Sequence, residues 1–578
     1  MPFVNAAISR YIVLILIFIL FVSPIYAQTA TTPSIAPATS LFDFWPQQDK
    51  KWLELPKLKP ENEPELVLPL ITPPESEKKG NLSTLPCVFV RKFVFEGNTA
   101  FSDEELAEIA APYTNRSITF EELQEVRQKL TLHYVEKGYI TSGVVIPDQP
   151  VENGTIILSI IEGNLSKIVA KSTGRLRPGY ITSRLKLAEG PPVNIFELQE
   201  ALQFLQQDPN IKKINAQLGP GELIGESILN ATVEEQKHFN LLFESSNDHS
   251  PSIGEYGGNL RLSYQNLTGF GDSISATGGL TEGSDDYGIN YTLPITAHGT
   301  TLSLQYNKSE SVIVEELFED LDIESRFEVY GITVSHPLYK TAQHTITFGI
   351  TGERKHGESY LLGRRFSFSP GEENGESDVT VPRFFQEWVN RSQKQVIAVR
   401  STISRGLNAL DATVNSEMPD GEFFAWLGQF QWIRRFGDTG FCDVIFKTDA
   451  QLTPDPLLPL EKFSVGGMNS VRGYHKNRLV RDNGVTASLE VRVPVIRNKK
   501  EEAVVELAPF FDYGMSWNSD SDTSDSEDIS SIGIGFRWAI TKKVNLQVYG
   551  AKAFREFDNE DNSLQGQGLH FNFTAELF

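Results

Sequence analysis

The sequence predicts two small α+β domains followed by an all-β transmembrane barrel of about sixteen strands. Three observations carry this expectation. An apolar, secretory-type segment opens the chain. A β-α-α-β-β pattern occurs twice between residues 87 and 235. From 236 to 578 the helical signals vanish and period-two alternation takes over.

The opening segment comes first. Arg10 precedes a twelve-residue apolar run, Tyr11 to Val22, and small Ala27 follows. A basic start, a short apolar core and a small residue at the cut have the form of a secretory signal, expected over 1–27. Twelve helical residues cover roughly 18 Å. That falls short of the roughly 30 Å hydrocarbon core, so an anchoring helix is disfavoured. Residues 28–86 carry ten prolines, among them Pro33, Pro46, Pro60 and Pro74. Proline at this density breaks helices and central strands. The segment is expected to be an extended linker, with a possible plug piece inside it.

The first α+β domain is expected over 87–163. Val88–Phe95 reads as a strand. Ser102 and Glu105 have capping-box spacing, with Leu106, Ile109 and Ala110 on one helical face. Thr119 and Glu122 start a second helix, striped by Leu123, Val126, Leu130 and Tyr134 and stopped by Gly138. Strands follow at Tyr139–Ile146 and Thr155–Glu162, the latter entered through an Asn153-Gly154 turn. The second domain, 164–235, repeats the order: a strand at Leu165–Lys171, a weak helix near 180–187, a helix capped by Asn194, and two strands joined at Pro220-Gly221.

The barrel is expected over 236–578. Leu260–Tyr264, Leu302–Tyr306 and Val544–Val548 alternate apolar and polar residues, as strands between lipid and water must. About sixteen strands of roughly ten residues would fill this length. With no other long apolar run, only a closed barrel could satisfy the backbone in a membrane. The chain ends in Phe578, but Phe571, Phe573, Ala575 and Leu577 form the alternating face, so the final Phe is one step out of register.

The net charge of −23 disfavours nucleic acid as a partner. Cys87 and Cys442 have no metal-ligand spacing and are expected to be unpaired. Nucleotide-binding loops, catalytic serine motifs and zinc motifs are missing from the sequence, so no catalytic residue, metal or cofactor is expected.

Three sets of residues resemble a known family. Gly138, Tyr139, Pro147, Gln149, Gly154, Glu162 and Gly163 resemble the signature of a polypeptide-transport-associated (POTRA) domain. Asn266 to Asp272 (NLTGFGD), with Tyr291 and Pro294, looks like the first barrel hairpins of the same family. Val471, Arg472, Gly473 and Tyr474 match the tip of a loop folded into the lumen, and Phe511, Asp512 and Gly514 match its partner motif on the inner wall. Together they resemble two-partner secretion transporters of the ShlB/FhaC/HecB type, in the BamA-like superfamily. The resemblance implies an ion pair between Arg472 and Asp512. It implies an outer-membrane translocator in a diderm bacterium, with periplasmic POTRA domains that capture an unfolded exoprotein and a barrel lumen that exports it (type V secretion). The implied partners are the exoprotein, outer-membrane lipid and the barrel-assembly machinery that inserts the chain. The alternatives are a barrel-assembly factor of the same superfamily and a passive porin.

Overall fold

The computed structural model describes residues 65–67, 87–316, 318–416, 419–437, 440–520, 526–557 and 563–578. The expected signal segment and most of the linker, with its possible plug, lie outside the described residues. One piece of that linker does not. Strand β1 (Glu65–Val67) belongs to the sheet of the second domain.

The first domain comprises β2 (Val88–Val90), β3 (Lys92–Glu96), α1 (Asp103–Ala110), β4 (Arg116–Ile118), α2 (Phe120–Glu136), β5 (Gly143–Val145) and β6 (Thr155–Ile161). Ser102 and Thr119 cap the two helices as expected, and Thr119 with Glu122 forms the full capping box. The expected first strand is split. Arg91 and Lys92 both donate their N–H to the carbonyl of Gly154, which bends the chain. Strand β2 then pairs with β4, while β3 runs parallel to β6. The strand expected from Tyr139 starts only at Gly143. Gly138, at φ +95°, ends α2, and the Ser142 N–H turns back to the Tyr139 carbonyl. Leu106, Val126, Leu130, Tyr134, Ile156 and Leu158 fill the core.

The second domain repeats the order with β7 (Asn164–Ser172), α3 (Pro178–Leu185), α4 (Ile195–Gln206), β8 (Ile211–Pro220) and β9 (Glu226–Glu235). Its core is separate, built around Ile181, Leu185, Leu198, Ile214 and Leu229. The sheet order is β1-β8-β9-β7. Strand β1 lies parallel to β8, with Glu65 opposite Asn215 and Val67 opposite Gln217.

The barrel runs through β10 (Phe239–Ser246), β11 (Gly257–Gln265), β12 (Ser273–Leu280), β13 (Ser284–Pro294), β14 (Thr301–Val312), β15 (Ile323–Lys340), β16 (His344–Leu361), the two-residue β17 (Arg364–Arg365), β18 (Glu376–Arg391), β19 (Gln395–Arg405), β20 (Phe424–Phe436) and β21 (Cys442–Leu452). After β22 (Phe463–Val465) and β23 (Leu479–Arg481), it continues through β24 (Asn483–Arg497), β25 (Ala503–Trp517), β26 (Glu527–Ala539), β27 (Val544–Ala553) and β28 (Leu569–Glu576). Strand β28 pairs with β10 and closes the barrel. Without β17, a hairpin extension of β16, sixteen strands form the wall. Closure leaves no unpaired edge inside the membrane. Leu260, Leu262, Leu304, Ile332, Val334 and Ile350 are exposed, as an outward lipid-facing set should be.

The question about Phe578 has a simple outcome. Strand β28 stops at Glu576, so register no longer dictates where the last residue points. The Phe578 ring reaches Phe239 at 5.8 Å, and Phe573 packs on Phe243. Cys87 and Cys442 are both free.

Candidate functional site: a lid locked inside the barrel

Residues 453–482, between β21 and β24, fold inward as a lid. Its two limbs meet in the antiparallel pair of β22 with β23, with Phe463 opposite Arg481. The tip beyond them carries the expected tetrapeptide. Val471 and Tyr474 are fully buried with Phe463, Val465, Leu479 and Ile529.

Arg472 and Asp512 meet. The Arg472 Nε donates to Asp512 Oδ2 at 2.7 Å, and Nη2 donates to Oδ1 at 2.9 Å. The Arg472 backbone N–H adds a third bond to the same carboxylate, 3.1 Å long. This is the fork geometry that favours arginine over lysine. The guanidinium also binds Glu490 through Nη1 and Ser488 through Nη2, and lies over the Phe510 ring at 3.5 Å. One cation therefore answers the buried Asp512 and shares the buried Glu490 with Arg492, whose Nε donates to its other oxygen at 2.6 Å. The remaining motif positions shape this contact. Gly473 sits at φ +92°, and a β-carbon there would lie 2.9 Å from that of Ala551. Its N–H donates to His570 Nε2 at 2.7 Å. The Tyr474 hydroxyl donates to the Ser530 carbonyl at 3.0 Å. A β-carbon at Gly514 would fall 2.3 Å from Val465 Cγ1, so only glycine lets the lid seat there. Phe511 stands apart, facing outward and exposed, with its ring near Phe554.

A second attachment holds the opposite limb. Leu457, Leu458 and Leu460 pack on Phe327, Val329, Val379 and Val381. Beside them Glu461 accepts from Arg383 Nη2 at 2.8 Å on both oxygens and pairs with Lys355 at 3.0 Å. Arg383 is fixed in turn by Glu353 at 2.8 Å. Asp248 makes a third tie, accepting from the Met468 N–H and the Asn469 amide, both at 2.8 Å. Sequence reading missed Glu490, Glu461, Lys355, Arg383, Asp248 and His570. Their partners lie across the lumen, and no local motif marks them.

The first-domain signature gathers at two joints. The Glu162 carboxylate accepts from the N–H groups of Thr99 and Ala100, the Thr99 hydroxyl and the Tyr134 hydroxyl. Burial pushes its pKa up, but these hydrogen bonds outweigh burial and hold the carboxyl below its ordinary value. Tyr139 packs edge-on against Phe101 and Tyr134. Gln149 bonds both the N–H and the carbonyl of Ile157, and its amide also reaches the Pro147 carbonyl. Gly154, at φ +72°, forms the turn that bends the chain at Arg91. Gly138 and Gly163 face the second domain. Their carbonyls accept from the N–H groups of Ile195 and Val193. At Gly138 a β-carbon would lie 2.5 Å from the Asn194 side chain.

The turn Asn266–Asp272 forms the next joint. Asp272 binds Thr268 and the Tyr291 hydroxyl, which gathers that motif. The turn docks on the second domain. Arg177 donates its N–H to the Gly269 carbonyl and stacks on Phe270 at 3.9 Å. Glu235, at the end of β9, accepts from the Leu176 N–H at 2.7 Å and from the Asn266 amide at 3.1 Å. Elsewhere, His336 bonds Thr300 and has a structural contact only among the described residues.

A family model described as "Haemolysin secretion/activation protein ShlB/FhaC/HecB" matches residues 225–538, and one for the ShlB-type POTRA domain matches 88–163. The outer membrane transporter CdiB of Dickeya dadantii is 22% identical, with 74% of this chain and 77% of the relative aligned. The hemolysin transporter protein ShlB of Serratia marcescens is 23% identical over 69% of this chain and 71% of its own. The solved structure of CdiB from Escherichia coli superposes with a TM-score of 0.65 at 18% identity, covering 93% of this chain and 96% of that one.

Proposed function

The chain belongs to the haemolysin secretion/activation family ShlB/FhaC/HecB, and on that premise we propose that its periplasmic domains capture an unfolded exoprotein and deliver it to the barrel lumen. It is an outer-membrane transporter of the two-partner secretion type, with its POTRA domain in the periplasm. Membership sets aside the porin and assembly-factor readings. The second β-α-α-β-β unit, 164–235, acts with the first as a receiving arm.

The observation that carries this reading is the run of fixed joints. Gly138 and Gly163 bind the second domain, and Arg177 and Glu235 bind the barrel turn between β11 and β12. A passive pore has no use for such an arm. Strand addition to a sheet edge is the natural way to hold an unfolded chain without reading its sequence. In the second domain the β8 edge is already covered by Glu65–Val67. Cargo binding there requires that strand to leave. Arg472 and Asp512 act as the lid's main fastening. Insertion of the chain itself falls to the outer-membrane barrel-assembly machinery.

Gene deletion gives the first test. The extracellular protein that disappears is the cargo, and the loss of none would refute transport. Fragment 87–235, which contains both domain cores, should then bind the N-terminal part of that protein.

A further inference from the structure

The two sides of the lumen differ in chemistry. On β12 to β15 the outward set includes Tyr287, Ile289, Leu304 and Ile332, all exposed. Alternation turns Thr277, Asn290, Ser303, Gln305, Asn307 and Thr333 inward. Asp286, near the extracellular end of β13, and Lys340, past the bulge at the periplasmic end of β15, are the two charged residues at the inward positions of these four strands. Hydroxyls pair across the strands instead: Thr292 with Ser303 at 2.9 Å, Thr301 with Ser335 at 2.7 Å and Thr333 with Thr351 at 2.9 Å. The rest of the wall, from β16 beside β15 round to β25, carries ion pairs, and the lid's fastenings to Lys355, Arg383, Glu490 and Asp512 all belong to it.

Resting on the transporter reading above, we propose that the nearly uncharged wall of β12–β14 with the periplasmic half of β15 is the track for the extended polypeptide, which passes while the lid stays fastened to the charged wall and to Phe327 and Val329 in the extracellular half of β15. An unfolded chain presents backbone donors and acceptors along its whole length and side chains of both signs. Hydroxyl and amide groups both donate and accept, so they can take the place of water along a backbone. Each such bond has a small net value and is easily exchanged. Bonds to ionised groups are about twice as strong. A wall of free charges would hold some side chains and repel others. Along the rest of the wall and the lid, Arg383, Glu461, Arg472, Glu490 and Asp512 are occupied by one another. Gly288 and Gly331, also inward, leave the track shallow.

Isosteric charge is the test. Asn290→Asp with Asn307→Asp keeps the shape of the track and adds two carboxylates. Export of the cargo per assembled barrel should fall about tenfold or more, since charges act strongly at short range away from bulk water. Gln431→Glu, on the other wall beside Lys447, should change export by less than about twofold. Equal losses, or a larger loss for Gln431→Glu, would overturn the proposal. Heat-modifiable migration and surface proteolysis report whether each barrel has assembled.

A second measurement does not depend on the double variant folding. A β-carbon built at Gly357 lies 3.3 Å from Leu460 Cδ2. In a Cys87→Ser, Cys442→Ser background, Gly357→Cys with Leu460→Cys should crosslink the lid to β16. Export should then be the same before and after reduction. Export that returns only on reduction would show that the lid must leave, and the track proposal would fall. If gene deletion removes no extracellular protein, the transporter reading fails first, independently of either arm.

Discussion

At the residue scale the fastening of Arg472 is tighter than a pair. Its sequence context pointed to Asp512, and the structure adds Glu490 and the Phe510 face. Removing the arginine leaves the buried Asp512 without its cation and Glu490 with Arg492 alone, a loss of roughly 3–5 kcal/mol. Arg472→Ala should therefore cripple export while an assembled barrel remains, read as cargo in the medium per folded barrel. Arg472→Lys should recover only part, because a point charge cannot bind both Asp512 oxygens and Glu490 together. Exchanging Arg472 with Asp512 would bring an aspartate against Glu490, so recovery needs Glu490→Gln in the same chain. Glu461 makes a second prediction. Glu461→Ala removes the carboxylate that Lys355 and Arg383 share, and the lid limb should become sensitive to protease added outside the cell, while the tip stays fastened. Only the Arg472 tie was legible in the sequence, because a four-residue motif and its partner mark it. Glu461 meets Lys355 across 106 positions of chain through barrel closure, and no local pattern encodes that meeting.

At the element scale, capping residues and apolar stripes made the helices readable. Strand breaks were harder. The bend at Arg91 comes from the Gly154 carbonyl, more than sixty residues away. The linker strand β1 escaped because three residues among prolines carry no periodic signal. Its pairing has a measurable consequence. Deleting 65–67 should free the β8 edge and raise the affinity of the periplasmic domains for the cargo segment, measured by titration of detergent-solubilised chains. Glu162 gives a pH prediction. Its carboxyl is held below its ordinary value in the folded domain. It therefore contributes stability above the unfolded glutamate pKa of about 4.3, and that contribution is lost as pH falls through the lower folded value. In fragment 87–235, acid unfolding followed by circular dichroism should be steeper than in Glu162→Gln, which has no proton to take up there.

For the whole molecule, the question is whether the periplasmic domains act as a tethered net or as a fixed guide. A net needs only to keep cargo near the mouth, and a flexible tether does this well, at millimolar effective concentration. A guide needs direction. The joints favour the guide: backbone hydrogen bonds fix the first domain to the second, and the stacked Arg177 with Glu235 fixes the second to the turn between β11 and β12. That turn leads straight into β12, the first strand of the nearly uncharged wall. A chain held on the second domain would thus be aimed at that wall rather than at the lid. Two insertions separate the cases. A flexible stretch of about six glycine and serine residues between Gly163 and Asn164 breaks the first joint, and the same stretch after Glu235 breaks the second. It adds about 14 Å of mean reach, too little to dilute a tethered net appreciably. Export that survives both insertions within about twofold means concentration alone suffices. The guide instead requires the insertion after Glu235 to reduce export most, because it leaves both domains folded and bound to each other but no longer pointed at the lumen.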